Sequence, residues 1–202
     1  KTDAPKVMLT AEQQTALTSV FQSQLPKLNK TEFLVTMEQL GADDQPIVIT
    51  QNEFMRRMKD MSATGGNPMM SFYGEMPDSY NLVVNTAHPL VDSLLKEEET
   101  ACAEKVAPLQ TEIANFEKRR EELKKSHQGK KDEEVPQAEK AELETLDKQI
   151  GELSAQKKAV YSTFAAEQPK VKQLIDIALL ANNMLKGKDL SDFVKRSVSL
   201  LK

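Results

Sequence analysis

Six of the nine methionines in this chain lie between residues 55 and 76. They are Met55, Met58, Met61, Met69, Met70 and Met76. Methionine is unbranched and polarizable, so such a cluster either fills an irregular core or forms a surface that adapts to several partners. The chemistry open to this cluster is apolar binding.

Residues suited to catalysis are few. The chain has two histidines, His88 and His127, and one cysteine, Cys102. His88 precedes a proline and is expected in a turn, and His127 is expected to be solvated in a polar loop. The sequence has no glycine-rich phosphate loop, nucleophile elbow or metal-ligand spacing. We therefore predict no catalytic, cofactor or metal site in this part of the protein.

The composition argues against several kinds of partner and site. The net charge of −4 argues against nucleic acid, and no apolar run is long enough to span a bilayer. A single cysteine excludes an internal disulfide framework and fits a reducing, cytoplasmic setting. Because the chain begins with Lys1 and not with methionine, we interpret it as an excised part of a longer protein.

Residues 1–95 are predicted to form an α+β subdomain with a small three-stranded sheet. Thr10 and Gln13 have the spacing of a capping box, which starts a helix that ends near Leu25. Alternating or continuous apolar residues predict strands at 33–37, 47–49 and 81–85. A turn is expected at 41–44.

A short amphipathic helix is predicted between the second and third strands. Thr50 with Glu53, or Asn52 alone, can cap it, and the two glycines at 65–66 end it. Phe54, Met58 and Met61 stand at positions i, i+4 and i+7, which lie on one side of a helix.

Residues 96–168 are predicted to form an antiparallel coiled-coil hairpin that turns near Gly129. Apolar residues recur at heptad spacing in both halves, and the residue numbers of facing positions add up to the same total. The facing pairs are Leu123 with Leu143, Phe116 with Ile150, Ile113 with Leu153, Val106 with Val160, and Cys102 with Phe164. Arg120 and Lys157 interrupt the pattern, and we expect their stems to cross apolar partners while their charges reach water. Parallel self-association of each helix is the alternative.

Residues 169–202 are predicted to form two terminal helices. The first continues through Leu185 to Gly187, and Asp189 caps the second. The first is apolar around most of its circumference, so a single flank cannot bury it. Two such helices from each of two chains would make an intermolecular four-helix bundle. Packing of the pair on its own domain is the alternative.

Three runs resemble the 90-kilodalton heat-shock chaperone family, in its bacterial, HtpG-type branch. Residues 80–91 contain Asn-x-x-His-Pro-Leu, residues 174–181 end in Ala-Leu-Leu-Ala, and residues 189–196 read Asp-x-x-x-Phe-x-x-Arg. The resemblance is to the C-terminal domain, and it covers the first and third segments. Since the family pattern has only a short connection at 96–168, the hairpin looks inserted.

The resemblance implies a constitutive homodimer joined by the last two helices of each protomer. The implied interface comprises Leu174, Ile175, Ala178, Leu179, Asn182, Leu190, Phe193, Val194, Ser197, Leu200 and Leu201. It also implies a client-contacting helix, which by order and spacing matches Phe54, Met58 and Met61. Ser62 departs from the pattern, because bacterial relatives can carry an apolar residue there. ATP and magnesium are implied only for a larger chaperone, through domains outside this chain.

Two other functions compete with a chaperone dimerisation and client-binding module. One is a structural coiled-coil adaptor whose hairpin binds a dedicated protein partner. The other is an enzyme, for which the sequence offers no cluster of titratable groups.

Overall fold

The computed structural model describes residues 8–51, 53–64, 74–131 and 134–200. The chain divides into two compact units. The first, here called the sheet unit, comprises Lys1–Glu97 and Ala165–Lys202, and the second, the helical unit, comprises Glu98–Phe164. The sheet unit combines helices with one small sheet, and the helical unit consists of helices, so the protein is of the α+β class, as predicted.

The sheet unit begins with helix α1, Ala11–Gln24. The backbone N–H of Gln13 donates to the hydroxyl of Thr10 at 3.1 Å, and the N–H of Thr10 donates to Gln13 Oε1 at 2.9 Å. Each side chain satisfies a donor that the helix end would otherwise leave without a partner. The predicted capping box is confirmed.

Three strands form one small mixed sheet in the order β1–β3–β2. Strand β1 spans Thr31–Glu38, β2 spans Ile47–Gln51 and β3 spans Asp78–Asn85. β1 is parallel to β3 and β2 is antiparallel to it. The register sets Val35 and Ile49 beside Leu82, and all three side chains are buried. The three predicted strands are confirmed, and β3 begins three residues before its predicted start.

Asn85 organises the turn between β1 and β2. Its side chain is buried, and its Nδ2 donates to the carbonyls of Gly41 at 2.8 Å and Gln45 at 3.2 Å. Its Oδ1 accepts from the N–H groups of Leu40 and Ala87, each at 3.1 Å. One buried amide thus satisfies four backbone groups, which stabilises the turn predicted at 41–44.

His88 stands at the start of the long helix α3, Pro89–His127. Its Nδ1 accepts from the N–H of Leu90 at 3.1 Å, and its carbonyl accepts from Val91 and Asp92. These hydrogen bonds satisfy N–H groups in the first turn of α3. This turn residue has a structural role.

Helix α5, Pro169–Ala181, packs on α1 and β2, and helix α6, Gly187–Ser199, packs on α5. The prediction that α5 continues to Gly187 is wrong. Asn183 has φ +57°, the N–H of Met184 donates to the carbonyl of Leu179, and the N–H of Asn183 donates to Leu180. These are the bonds of a Schellman motif, which asparagine can form because it tolerates the left-handed region.

The predicted start of α6 is also wrong. The helix begins at Gly187, whose φ is +58°, with Lys186 as its N-cap. Asp189 lies in the first turn, where its negative charge interacts favourably with the positive end of the helix dipole.

The helical unit contains most of α3 and of α4, Gln137–Glu167. Side-chain contacts between the two helices include His127 with Glu139 at 2.5 Å and Arg120 with Asp147 at 3.0 Å. The residue numbers of His127 and Glu139 add up to 266, which is also the sum for the predicted facing pairs. Those of Arg120 and Asp147 add up to 267. All the apolar heptad positions are buried or half-buried.

Two expectations about polar residues of the helical unit are wrong. Lys157 is only 7% exposed, and its Nζ donates to Gln110 Oε1 at 2.6 Å instead of reaching water. His127 ends α3 and is half-buried beside Glu139, so it is not a solvated loop residue. In both cases a polar residue on the neighbouring turn or helix supplies a partner that heptad spacing does not reveal.

Candidate functional site

Helix α2, Glu53–Thr64, presents an apolar stripe formed by Phe54, Met58 and Met61. Phe54 and Met61 are 63% and 51% exposed, and Met58 is half-buried. None of the residues of α2 is buried. A helix that carries large apolar side chains without burying them has the character of a binding surface.

Charged side chains on α2 pair with one another around the stripe. Arg56 contacts Glu53 at 3.1 Å and Asp60 at 3.4 Å, and Arg57 contacts Glu53 at 3.4 Å. The hydrogen bond from Arg56, with the positive charge behind it, holds the pKa of Glu53 below its ordinary value. Because these charges are matched, the stripe is apolar at its centre and nearly neutral at its rim.

A different side of α2 faces the sheet. Lys59 Nζ contacts Asp78 Oδ1 at 2.7 Å, and Asp78 is the first residue of β3. Gln51, Met55 and Ser79 line the narrow crevice around this ion pair. The sequence alone does not predict this pair, since spacing within α2 cannot reveal an acidic partner nineteen residues away.

Two further methionines of the cluster lie outside the apolar stripe. Met55 is half-buried on the sheet side of α2, and Met76 is half-buried before β3. Met69, Met70 and Asn52 lie outside the described residues.

The terminal helices form a second apolar surface. Four residues of the predicted interface are buried within the sheet unit itself, namely Leu174, Ile175, Ala178 and Leu179. Leu190, Phe193 and Ser197 are half-buried, Asn182, Val194 and Leu200 are exposed, and Leu201 lies outside the described residues. The buried members can support an interface only from behind.

Several exposed apolar residues of this surface are absent from the predicted set. They are Ile177 and Leu180 of α5 and Val198 of α6. The sequence shows that all three are apolar, but the continuous apolar character of α5 hides which side faces outward.

A polar seam joins the two terminal helices. The carboxylate of Asp176 in α5 pairs with Lys172 at 2.6 Å and with Arg196 of α6. Gln173 Nε2 donates to Ser197 Oγ at 2.7 Å. These contacts fix α6 against α5 beside the exposed apolar residues.

The single cysteine, Cys102, is buried. Burial, reinforced by the negative charge of Glu98, raises the pKa of the Cys102 thiol to about 11. The described residues contain no cluster of three or more side chains that could hold a metal ion. Among the described helices, none is long and apolar enough to cross a membrane.

Comparison with known proteins finds relatives that match the whole chain. The chain is 50% identical over 201 residues to the chaperone protein HtpG of Bacteroides fragilis strain 638R and of Bacteroides thetaiotaomicron. It is 38% identical over 201 residues to the chaperone protein HtpG of Porphyromonas gingivalis. Each alignment covers 100% of this chain. Over its full length, the chain matches a fragment of HtpG chaperones. The chain spans 29% of the length of each of these HtpG relatives.

The alignments also bear on the segment 96–168. Because the matched stretch runs through the whole chain, these HtpG relatives carry the segment too. The segment is therefore shared within this part of the HtpG family and is not peculiar to this chain. No family model and no solved structure matches the chain.

Proposed function

We propose that this chain is the dimerisation and client-contacting part of an HtpG-type molecular chaperone. The observation that carries the proposal is the exposed stripe of Phe54, Met58 and Met61 on α2. Non-native proteins expose apolar side chains of many shapes, and methionine adapts to them at low cost. The matched relatives are named chaperones, which supports the same function.

Self-association through α5 and α6 is the second part of the proposal. Ile177, Leu180, Val194 and Val198 are each between 41% and 53% exposed. Pairing this surface with a second copy across a two-fold axis would bury it in a four-helix bundle. The chain would then be a homodimer that presents two α2 stripes.

The resemblance to HtpG chaperones also supports proposals on location, partners and cofactors. We place the protein in the bacterial cytoplasm, with non-native proteins and a second copy of itself as partners, and without nucleic acid or membrane as partners. ATP and magnesium would be bound by parts of the whole chaperone other than this chain. This chain would then act by binding and not by catalysis.

An antiparallel coiled coil is the proposed structure of the helical unit. Burial at heptad positions and the pairs His127–Glu139 and Arg120–Asp147 support it. A coiled-coil adaptor remains the second candidate function, because this unit is compact by itself. Its described residues expose no large apolar side chain, so a partner of the unit would have to be recognised by polar contacts.

Removal of residues 98–164 and their replacement by a short glycine-serine linker separates the two functions. The chaperone proposal expects the shortened protein to dimerise and bind unfolded protein as the intact chain does. The adaptor hypothesis instead expects the binding of a dedicated protein partner to disappear with these residues.

Client contact is tested directly with reduced, carboxymethylated α-lactalbumin, which is permanently unfolded. The double variant Phe54→Ser/Met61→Ser should bind it at least about tenfold more weakly, since two apolar contacts are lost. Ala63→Ser changes an exposed residue on the opposite side of α2 and should leave affinity unchanged. Equal affinity of the intact chain and the double variant would overturn the proposal.

A further inference from the structure

We propose that Lys59 is a positioning residue, whose ion pair with Asp78 sets the direction in which α2 presents the apolar stripe. The inference rests on the proposed client contact, and it names the interaction on which the orientation of that contact depends.

The ion pair links a helix to a fixed point of the sheet. Lys59 Nζ lies 2.7 Å from Asp78 Oδ1. The side chain of Lys59 is 22% exposed and that of Asp78 is 43% exposed. The N–H of Asp78 donates to the carbonyl of Lys30 at 2.8 Å, and Asp78 pairs with Thr31 in the sheet register. The carboxylate therefore projects from backbone that is held on the β1 side.

The other cations of α2 do not perform this task. Arg56 and Arg57 pair with Glu53 and Asp60, which belong to the same helix. Such pairs stabilise the helix itself but do not hold it on the sheet. Among the ion pairs of the described residues, the pair of Lys59 with Asp78 joins α2 to another element.

The weak packing of α2 makes this pair important. No side chain of α2 is buried, so apolar burial contributes little to holding the helix in place. An ion pair of moderate exposure is normally a minor contribution to the stability of a domain. A helix without a buried face is more sensitive to the loss of such a pair than a helix held by core packing.

The position of Lys59 on the helix explains the effect on orientation. At 3.6 residues per turn, Lys59 lies roughly 100–160° around the helix axis from Phe54, Met58 and Met61. A contact on that side keeps the stripe directed away from the sheet. Without it, α2 can roll its apolar side chains toward the sheet, and the fraction of molecules ready to bind a client falls.

The experiment compares Lys59→Met, which keeps a long apolar stem, with Lys96→Met, which removes the cation of an exposed ion pair with Asp92 outside α2. Affinity for reduced, carboxymethylated α-lactalbumin is measured together with amide hydrogen exchange in α2 and thermal unfolding of the whole chain. K59M should weaken binding by about two- to fivefold and speed exchange in α2, because a partly exposed ion pair is lost. K96M should change neither quantity.

The charge-exchanged double variant Lys59→Asp/Asp78→Lys separates positioning from a general structural role. It should restore both affinity and exchange toward the values of the intact chain, while D78K alone should not. An unchanged affinity for K59M would overturn the positioning role, as would a double variant that remains as weak as K59M. If F54S/M61S binds as tightly as the intact chain, the client-contact proposal itself has failed, and the two failures are thereby distinguished.

Discussion

Arg196 of helix α6 pairs with Asp176 of helix α5, and this aspartate is only 1% exposed. Lys172, one turn earlier in α5, donates to its second oxygen at 2.6 Å. A carboxylate in this position without cations would be a buried, uncompensated charge. The orientation of α6 on α5 therefore depends on a buried ionic contact as well as on apolar packing.

Replacing this aspartate should destabilise the sheet unit. Asp176→Ala leaves two cations without their shared partner, and we expect a loss of about 2–4 kcal/mol in the free energy of unfolding. Urea unfolding followed by circular dichroism measures it. Asp192→Ala is the matched control, because Asp192 is a partly exposed aspartate whose cation, Lys195, lies 3.9 Å away. Similar losses for the two variants would contradict the assigned role of the buried pair.

The proposed dimer is best tested at an exposed position of α6. Val194→Asp places a charge on the apolar surface without disturbing the core, since Val194 is about half exposed in one chain. Each protomer would lose at least roughly 1.5 kcal/mol of apolar burial, and a symmetric dimer loses it twice. We therefore expect association to weaken by about a hundredfold or more. Sedimentation velocity over a range of concentrations measures the change.

Ser199→Asp supplies the control for this variant. Ser199 is exposed and lies roughly 140° around the axis of α6 from Val194, so the same added charge should leave association unchanged. A Val194→Asp protein that dimerises as tightly as Ser199→Asp would show that the interface lies elsewhere.

The sequence could predict the apolar character of the terminal helices but not their outward side. Leu179 and Leu180 are adjacent leucines, yet the first is completely buried and the second is among the exposed residues. The difference arises because α5 packs on α1 and β2, which are distant in sequence. A Leu179→Asp variant would therefore disrupt the core of the sheet unit, and it cannot report on a dimer interface.

Local signals were most reliable where neighbouring residues alone determine the structure. The Thr10–Gln13 capping box depends on contacts three residues apart, and the structure contains both of its hydrogen bonds. By contrast, the ion pair of Lys59 with Asp78 and the capping of the turn by Asn85 depend on residues brought together by the sheet. The candidate binding helix could therefore be predicted, but the contact that holds it could not.

Cys102 is expected to be almost unreactive in the folded protein. Burial and the nearby charge of Glu98 raise its pKa from 9.0 to about 11, which lowers the thiolate fraction near neutral pH about a hundredfold. Alkylation by iodoacetamide near pH 8 should be at least that much slower in the folded chain than in urea. Similar rates in both conditions would contradict a buried, protonated thiol.

The same thiol links stability to alkaline pH. Its folded-state pKa is raised, so the folded protein retains a proton that the unfolded chain releases. The stabilisation is complete below pH 9 and is lost as the pH rises toward about 11. Cys102→Ser should reduce the slope of stability against pH in this interval, as measured by urea unfolding.

Lys157 offers a test of how the helical unit is stabilised. It occupies a heptad position, is buried, and donates a hydrogen bond to Gln110 at 2.6 Å. Burying an ammonium group is costly, and replacing buried ionic contacts by apolar side chains is often neutral or stabilising. Lys157→Leu should therefore raise the free energy of unfolding of the helical unit by about 0–2 kcal/mol. Lys158→Leu, at the exposed neighbouring position, should leave it unchanged and is the control. Thermal unfolding followed by circular dichroism measures both, and a clear loss of stability in Lys157→Leu alone would show that the polar pair is a net stabilising contact.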